Sequence, residues 1–367
     1  MKKRNARCAK PADRVRSRWF GAGMALLLLA PIPFREAAYA QTGETIAKAD
    51  QLIAAHQLEQ ANELLTDYVQ KHSSDVRALV KLGQVQVAQG LNDDAMKSFE
   101  TALAAEPKSA SARDGEVQAA TAAALADRRS GLQDYALLDL RRAYKVVDDS
   151  PKLLFEIGVQ EENLRIFQDA DAVLTKAHAL APADATILYA LAHVELDEQK
   201  MPEAEANLRA YLKARPSDAT AHYGLGKLLH MQLRDDDAKA ELDRSIELEP
   251  RQSASYYELG QIALEQEQDD EAKNEFQKVL SLAPNHGGAL TGMGVLSFRA
   301  KDYPAAEQYL KQAILDAPDY ATAHHYYALV LTRMGRTDEA KNEAAMAQKL
   351  DEEQTRTSRG DYLTVIH

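Results

Sequence analysis

Residues 253–286 read SASYYELGQIALEQEQDDEAKNEFQKVLSLAPNH, and the pattern of this stretch recurs along most of the chain. An alanine marks it most clearly, returning every 34 residues with a single gap of 41. Self-similarity at this period predicts a stack of supersecondary units, rather than the two or three globular domains that 367 residues would otherwise suggest. The alanines of the series are Ala61, Ala95, Ala136, Ala170, Ala204, Ala238, Ala272, Ala306 and Ala340.

Other positions of the quoted stretch return with the same period and have a physical explanation. Gly260 stands twelve residues before the alanine, and a small residue there lets two helices approach closely. Phe276 supplies the bulk around that contact, and Pro284 ends the unit because proline cannot continue a helix. The residues that define the repeat in the clearest units are Gly83, Ala95, Pro107, Gly226, Ala238, Pro250, Gly260, Ala272, Pro284, Gly294, Ala306 and Pro318.

This pattern resembles the tetratricopeptide repeat (TPR), in which two antiparallel helices per unit stack into a right-handed superhelix. The resemblance implies an all-α solenoid of about nine helix-turn-helix repeats over residues 42–354. The family's aromatic residue at the fourth position of the first helix is kept only as Tyr256. The expected units are 42–75, 76–109, 110–150, 151–184, 185–218, 219–252, 253–286, 287–320 and 321–354.

Three parts of the array depart from the regular pattern. The unit 110–150 holds seven extra residues, and its alanine-rich stretch 119–126 predicts that they lengthen the first helix, which then ends before Gly131. The first unit lacks the usual apolar and glycine positions, as suits a terminal repeat with one exposed face. Residues 355–367 form a tail, and we expect a final capping helix after Asp351. The predicted N-caps of the second helices are Asn92, Asp235, Asp269 and Thr337.

The first 40 residues differ in composition from the rest of the chain. Residues 1–20 are strongly basic, residues 21–34 form an apolar run, and Ala38-Tyr39-Ala40 is a small-x-small cleavage site. This order predicts a secretory signal peptide, residues 1–40, cleaved after Ala40, and therefore export to the bacterial periplasm or beyond the cell. The apolar run is shorter than the roughly 20 residues of a spanning helix, which disfavours an uncleaved anchor. An organelle transit peptide and a cytosolic adaptor with an intact N-terminus are the other interpretations.

Charge and cysteine content argue against several classes of function. Residues 1–40 hold nine Lys and Arg and two Asp and Glu, so the remainder has 35 basic and 54 acidic side chains and a formal charge of −19. A protein this acidic is not expected to bind nucleic acid or an anionic membrane surface, because both attract basic patches. The only cysteine, Cys8, lies in the predicted signal peptide, so we expect no disulfide and no thiolate chemistry in the exported chain.

The resemblance also implies a binding surface, since in this family the first helix of each repeat lines a concave groove. The fifth position of that helix is aromatic in several consecutive repeats, and a row of this kind suits an extended peptide or a partner helix. Tyrosine is also frequent there in the family, so packing alone is the competing interpretation. The predicted groove residues are Phe155, Tyr189, Tyr223, Tyr257 and His325, with the cations Lys227, Arg299 and Arg333.

No arrangement of residues in the sequence predicts catalysis, a metal or a cofactor. His222 and His324 take the place of a core aromatic residue, and His325 points to another helix face than its neighbour, so the histidines do not suit a shared ion. The acidic clusters 235–237 and 269–271 fall where second helices begin, where they cap the helix and complement its dipole. We therefore expect a protein that is not an enzyme.

Together these features predict a non-catalytic scaffold that binds a peptide or a partner protein in its groove, in cell-envelope assembly or export. The alternative is a regulatory subunit of a complex that synthesises or secretes polysaccharide or peptidoglycan. Both roles require protein partners and neither requires a membrane span in the exported chain. The sequence leaves the partners, the pathway and the oligomeric state open.

Overall fold

The computed structural model describes residues 32–363, with side chains from Gln41 to Glu353 and at Thr355. The predicted signal peptide therefore lies outside the described side chains. The described residues form helices and no strand, and they divide into two compact units. The first unit, up to Val147, contains α1 (Ile32–Ala54), α2 (Leu58–Lys71), α3 (Val76–Ala88), α4 (Asn92–Ala105), α5 (Ala110–Arg129) and α6 (Gln133–Tyr144). The second unit contains α7 (Pro151–Asn163), α8 (Phe167–Leu180), α9 (Ala185–Asp197), α10 (Met201–Ala214), α11 (Ala219–Met231), α12 (Asp235–Leu248), α13 (Ser253–Glu265), α14 (Asp269–Leu282), α15 (Gly287–Arg299), α16 (Tyr303–Asp316), α17 (Ala321–Arg333) and α18 (Thr337–Leu363).

These eighteen helices of the described residues form nine consecutive pairs, which confirms the all-α repeat fold. We call the first helix of each pair helix A and the second helix B. Within each unit, every helix packs against the one before it and the one after it. The four prolines chosen as repeat-defining lie in the turns after helix B, as expected from their inability to continue a helix. They are Pro107, Pro250, Pro284 and Pro318.

Each pair depends on a close contact between a small residue of helix A and a large residue of helix B. A Cβ atom added to Gly260 in α13 would lie 2.7 Å from the ring of Phe276 in α14, so no larger residue fits without a shift. Eight of the nine marker alanines are fully buried, and Ala340 is 7% exposed. The same close approach joins Gly83, Gly226 and Gly294 to Phe99, Leu242 and Leu310.

Phenylalanine on helix B also needs a second glycine, in the helix A that follows it, and this glycine is not among the predicted repeat-defining residues. A Cβ atom on Gly292, in the next helix A, would lie 2.4 Å from Phe276, and one on Gly115 would lie 2.2 Å from Phe99. Each of these glycines follows the helix-A glycine of the preceding repeat by 32 residues. A repeat with leucine on helix B can carry a larger residue there, as at Ala190. The spacing was therefore readable in the sequence.

The turns between helix A and helix B show that the four predicted N-caps are wrong. Gly90 follows α3 with φ 76°, and the N–H of Leu91 donates to the carbonyl of Gln86 at 2.9 Å, which closes α3 with a Schellman motif. Leu91 is also the residue that precedes α4, so backbone geometry serves both helices and no side chain caps the second. Side-chain caps occur mainly on helices A, at Asp75, Ser150, Asp184, Asp218 and His286. Helix B α16 also has one, because Asp302 accepts a hydrogen bond from the N–H of Ala305 at 3.1 Å. The predicted caps are the first residues of their helices: Asn92, Asp235, Asp269 and Thr337.

The third repeat has the lengthened helix that its alanine-rich sequence predicts. Helix α5 has 20 residues, compared with 13 in α3, and Gly131 follows it with φ 76°. Ala124 stands twelve residues before Ala136, the register of the regular pairs, and is fully buried. The seven extra residues therefore shift the pairing of α6 along its helix A by about 10 Å, at 1.5 Å per residue.

The two ends of the array differ from the regular repeats. Helix α1 continues through the predicted cleavage site as far as Ala54, and Ala49 takes the place of the helix-A glycine, where it is fully buried. Helix α18 runs without interruption to Leu363, so the separate capping helix expected after Asp351 is wrong within the described residues. The reason is local: the position that holds a closing proline in earlier repeats is Glu352 here, and the helix continues.

The prediction that His222 and His324 fill a core position is confirmed. His324 is 5% exposed, and its Nε2 and Nδ1 atoms lie 3.0 Å from the Pro318 carbonyl and 2.6 Å from a Glu343 carboxylate oxygen. His222, three repeats earlier, makes the equivalent two contacts with Glu241 and the Pro216 carbonyl. In its own repeat, Tyr256 donates its hydroxyl to the corresponding proline carbonyl at 3.3 Å. Histidine thus preserves the backbone contact of the aromatic residue that it replaces.

We predict that Gly292→Ala lowers the free energy of unfolding by about 1–3 kcal/mol, because the new methyl group meets the Phe276 ring. In a Phe276→Leu background the same alanine should cost much less, so the two substitutions should be non-additive. Gly224→Ala is the matched control: Gly224 holds the same position of helix A, and a Cβ atom there meets nothing within 4 Å. Gly224→Ala should raise the free energy of unfolding by about 0.5–1 kcal/mol. Urea unfolding measures these effects, and equal effects of the two alanines would contradict the prediction.

Candidate functional site

The helices A of the second unit carry all the predicted groove residues. We call the fifth residues of these helices the aromatic row, although not all of them are aromatic. Its first four members are half-buried, the fifth is buried and the last is exposed, so the row reaches solvent only in part. The members are Phe155, Tyr189, Tyr223, Tyr257, Thr291 and His325.

Tyr189 packs sideways against helix B of its own repeat. Its ring centroid lies 4.9 Å from that of Tyr211 and 4.6 Å from that of His193. The Tyr211 hydroxyl donates to Asp218 at 2.6 Å, and this hydrogen bond raises the pKa of Tyr211 to about 12. Tyr211, Asp218 and Glu249 also line a cleft of about 620 Å³ at the turn between α10 and α11. Tyr189 therefore forms part of the wall between two helices as well as part of the row.

Tyr257 is committed to packing more strongly than any other tyrosine of the row. Its ring lies 6.1 Å from Phe276 and 4.8 Å from His286, centroid to centroid. Gln261 donates to its hydroxyl at 2.8 Å, and burial raises the pKa of that hydroxyl well above its usual range. A Cβ atom on Gly288 would lie 2.6 Å from the same hydroxyl, so the next helix A closes over the ring. The packing interpretation of the row holds at this residue.

Lys227 is the exposed cation at the centre of the row. It lies on α11 and acts on Glu258 of α13, where burial raises the pKa of the carboxyl and the positive charge of Lys227 opposes the shift. Burial also raises the pKa of Tyr223, and the Glu258 charge adds to it. One tyrosine, one buried carboxyl and one exposed lysine thus face one another across two neighbouring helices A.

The two predicted arginines differ in what they can bind. Arg299 donates to the Leu264 carbonyl at 3.0 Å and to Asp269 at 2.7 Å, so it fastens the turn of the preceding repeat. Arg333 is exposed at the end of α17. His325 is exposed on the same helix and meets the Tyr326 ring edge-on at 5.6 Å. The groove prediction therefore keeps Arg333 and His325 as accessible groups, whereas Arg299 has an internal role.

A polar network beside Lys227 was not predicted from the sequence. The Nδ1 atom of His230 lies 2.9 Å from Asp235, and its Nε2 atom lies 3.8 Å from Glu265 in the next helix A. Gln266 donates to Asp235 at 2.9 Å, which joins two successive turns. The hydrogen bond from His230 lowers the pKa of Asp235. The acidic residue at the start of helix B thus accepts bonds from its own and the following repeat.

Glu116 is the most unusual ionisable group of the first unit. It is fully buried in α5, and neither carboxylate oxygen has a hydrogen-bond partner. The nearby Arg142 is engaged by Glu100, with donor–acceptor distances of 2.7 and 2.9 Å. Burial, and next the charge of Glu100, raise the pKa of Glu116 to about 8, while Arg142 opposes the shift. The carboxyl is therefore neutral over most of the physiological range.

We expect Glu116→Gln to make stability less dependent on pH. Because the pKa of Glu116 is about 8 in the folded protein and near 4.5 in the unfolded chain, folding favours the protonated form. The contribution of protonated Glu116 to the free energy of unfolding is therefore complete below about pH 4.5. It declines by about 1.4 kcal/mol per pH unit as the pH rises to 8. Urea unfolding at several pH values should show the wild type losing this stability and Glu116→Gln retaining it. The control is Asp114→Asn, two residues away and exposed; a variant–wild-type difference independent of pH would contradict the assignment.

Between residues 32 and 363, no helix has the length and apolar character needed to cross a membrane. In the same range, no three His, Cys, Asp or Glu side chains come together in a way that could hold a metal ion.

Family profiles of the tetratricopeptide type match three parts of the chain. The middle TPR-like domain of cilia and flagella-associated protein 70 matches residues 242–352. Two tetratricopeptide repeat profiles match residues 189–238 and 52–124. No curated protein matches the sequence. The profiles thus fall on both units and agree with the helix pairs described above.

Solved structures share this architecture at low sequence identity. The APC/C hetero-tetramer Cut9–Hcn1 has a TM-score of 0.52 at 18% identity, over 80% of this chain and 56% of that one. For PilF of Pseudomonas aeruginosa the TM-score is 0.49 at 22% identity, over 55% and 92%. For YrrB, titled a TPR protein with an unusual peptide-binding site, it is 0.42 at 22% identity, over 51% and 96%. At 18% identity the likeness to Cut9–Hcn1 shows the fold alone.

Proposed function

We propose that this chain, which is built from tetratricopeptide-type repeats, is a non-catalytic scaffold that binds a peptide or a partner protein on the helix-A surface of its second unit. The observation that carries the proposal is the exposure of Lys227, one helical turn from the half-buried Tyr223 on α11, and of His325 and Arg333 on α17. Aromatic residues and arginine are enriched in protein interfaces. Repeat stacks offer such groups along an extended surface.

The charge pattern of this surface supports recognition of an ordered partner segment. Lys227 on α11 interacts with Glu258 on α13, and His230 lies 3.8 Å from Glu265, so basic side chains of one helix A lie opposite carboxyl groups of the next. Such a pattern fixes the register of a bound chain and disfavours partners with the wrong charge order. Tyr257 contributes little to binding in this scheme, since its ring packs between repeats.

We place this role in the cell envelope, after export. The support is the order of basic, apolar and small-residue segments in residues 1–40, which is that of a signal peptide. N-terminal sequencing of the protein from its native cell tests the location. Gln41 as the first residue supports export, whereas an intact Met1 argues for the cytosolic alternative.

We predict that the double substitution Lys227→Glu and Arg333→Glu removes partner binding without unfolding the protein. Both side chains are exposed, so reversing their charge should leave the urea unfolding midpoint almost unchanged. Crosslinking and affinity capture from the native envelope, with mass spectrometry of the captured proteins, measures binding. We expect the partners of the wild type to fall by about tenfold or more.

The matched control reverses two exposed lysines of helices B, Lys213 and Lys273, and should retain every partner. If the groove variant and the control lose the same partners, net charge rather than the helix-A surface explains binding. Reproducible turnover of a substrate by the purified protein would overturn the non-catalytic part of the proposal.

A further inference from the structure

A stripe of exposed apolar residues lies along α6 in the first unit. Leu132, Tyr135 and Leu138 follow one another at three-residue spacing, which places them along one side of the helix. Tyr135 is 60% exposed and Leu138 is 62% exposed. We call these three residues the α6 stripe. The buried side of the same helix is formed by Ala136, Leu140 and Ala143.

The α6 stripe is absent from the corresponding helices of the other repeats. Tyr135 immediately precedes the marker alanine and Leu138 comes two residues after it. In the other eight repeats, no large apolar residue occupies either position. The residues before the alanine are Gln60, Asp94, Asp169, Glu203, Asp237, Glu271, Ala305 and Glu339. The residues two positions after the alanine are Glu63, Lys97, Ala172, Ala206, Ala240, Asn274, Gln308 and Asn342.

The stripe belongs to the repeat whose helix A is seven residues longer. The longer α5 shifts the pairing of α6 by about 10 Å from the regular register. In the other eight helices B, small or polar residues occupy the positions of Tyr135 and Leu138. Large apolar side chains in solvent mark interaction sites when they are contiguous.

Positive charge continues the stripe toward the end of α6. Arg141 and Lys145 are exposed there. Residues 125–146 contain five Lys and Arg and three Asp and Glu, and their net charge is +1 when Arg142, which binds Glu100, is left out. Residues 41–367 sum to −19. The surface therefore joins apolar anchors at one end to cations at the other.

We propose that the α6 stripe, with Arg141 and Lys145, docks an acidic amphipathic segment of another protein. Apolar side chains of that segment would cover Tyr135 and Leu138, and its carboxylates would meet the two cations. Complementary charge gives orientation, and the aromatic and leucine anchors give the contact area. This binding site is separate from the helix-A surface and does not depend on the proposed function of that surface.

Charge favours this occupant over two others. A second copy docked stripe to stripe would bring the cations of both copies together, which is unfavourable. An anionic membrane would attract Arg141 and Lys145 but repel a chain whose remaining residues are strongly acidic. A short acidic segment contacts only the cations near the α6 stripe, so the acidic remainder of the chain does not repel it as it would repel a membrane.

Photocrosslinking in the native cell tests the proposal. Leu138 is replaced by p-benzoylphenylalanine in the full chain, and the crosslinked peptide is identified by mass spectrometry. The control carries the same crosslinker in place of Lys97, the equivalent exposed position of α4. We expect an adduct from Leu138 alone, with a segment that is acidic and has apolar residues at helical spacing. Arg141→Glu together with Lys145→Glu should lower its yield by about tenfold or more.

Each other outcome overturns the proposal. An adduct with this chain itself would show self-association, and an adduct with lipid would show membrane contact. An equal yield from the Lys97 position, or a segment without acidic residues, would show that α6 is not a specific site. Urea unfolding of the charge-reversed protein verifies that it is folded, because both cations are exposed and their reversal should leave the midpoint almost unchanged.

Discussion

The structure depends on how closely helix A and helix B approach at one small residue. Gly260 leaves room for the ring of Phe276, and the same ring also rests on Gly292 of the next repeat. One side chain thus sets the distance within a pair and the distance between pairs. Because close-packed cores do not absorb even one extra methyl group cheaply, this contact fixes where successive helices A lie, and therefore which of their residues reach solvent.

That constraint explains why the aromatic row is only partly a surface. Tyr257 packs against Phe276 and His286, whereas Lys227 and Arg333 are exposed. A partner can therefore contact the exposed charged groups, and not only the tyrosines. Polar contacts such as Arg299 with Asp269 then join one repeat to the next, with modest energy for each exposed pair.

The third repeat shows what happens where the regular register changes. In this repeat Glu116 is buried without a hydrogen-bond partner, and Tyr135 and Leu138 are exposed on α6. A buried neutral carboxyl costs stability as the pH rises, and an exposed apolar stripe costs solubility. Both features lie in the one repeat that departs from the 34-residue period, and neither improves the packing of the stack.

The sequence by itself determined the helix pairs, their number, the long α5 and the residues of the close contact, because a fixed period and helix-breaking prolines act locally. The core roles of His222 and His324 followed from the same period. Tertiary structure decided the rest: the side-chain caps, the burial of Glu116 and the division of the aromatic row. These depend on contacts between residues in neighbouring helices, where distance and burial are set by packing rather than by the local pattern.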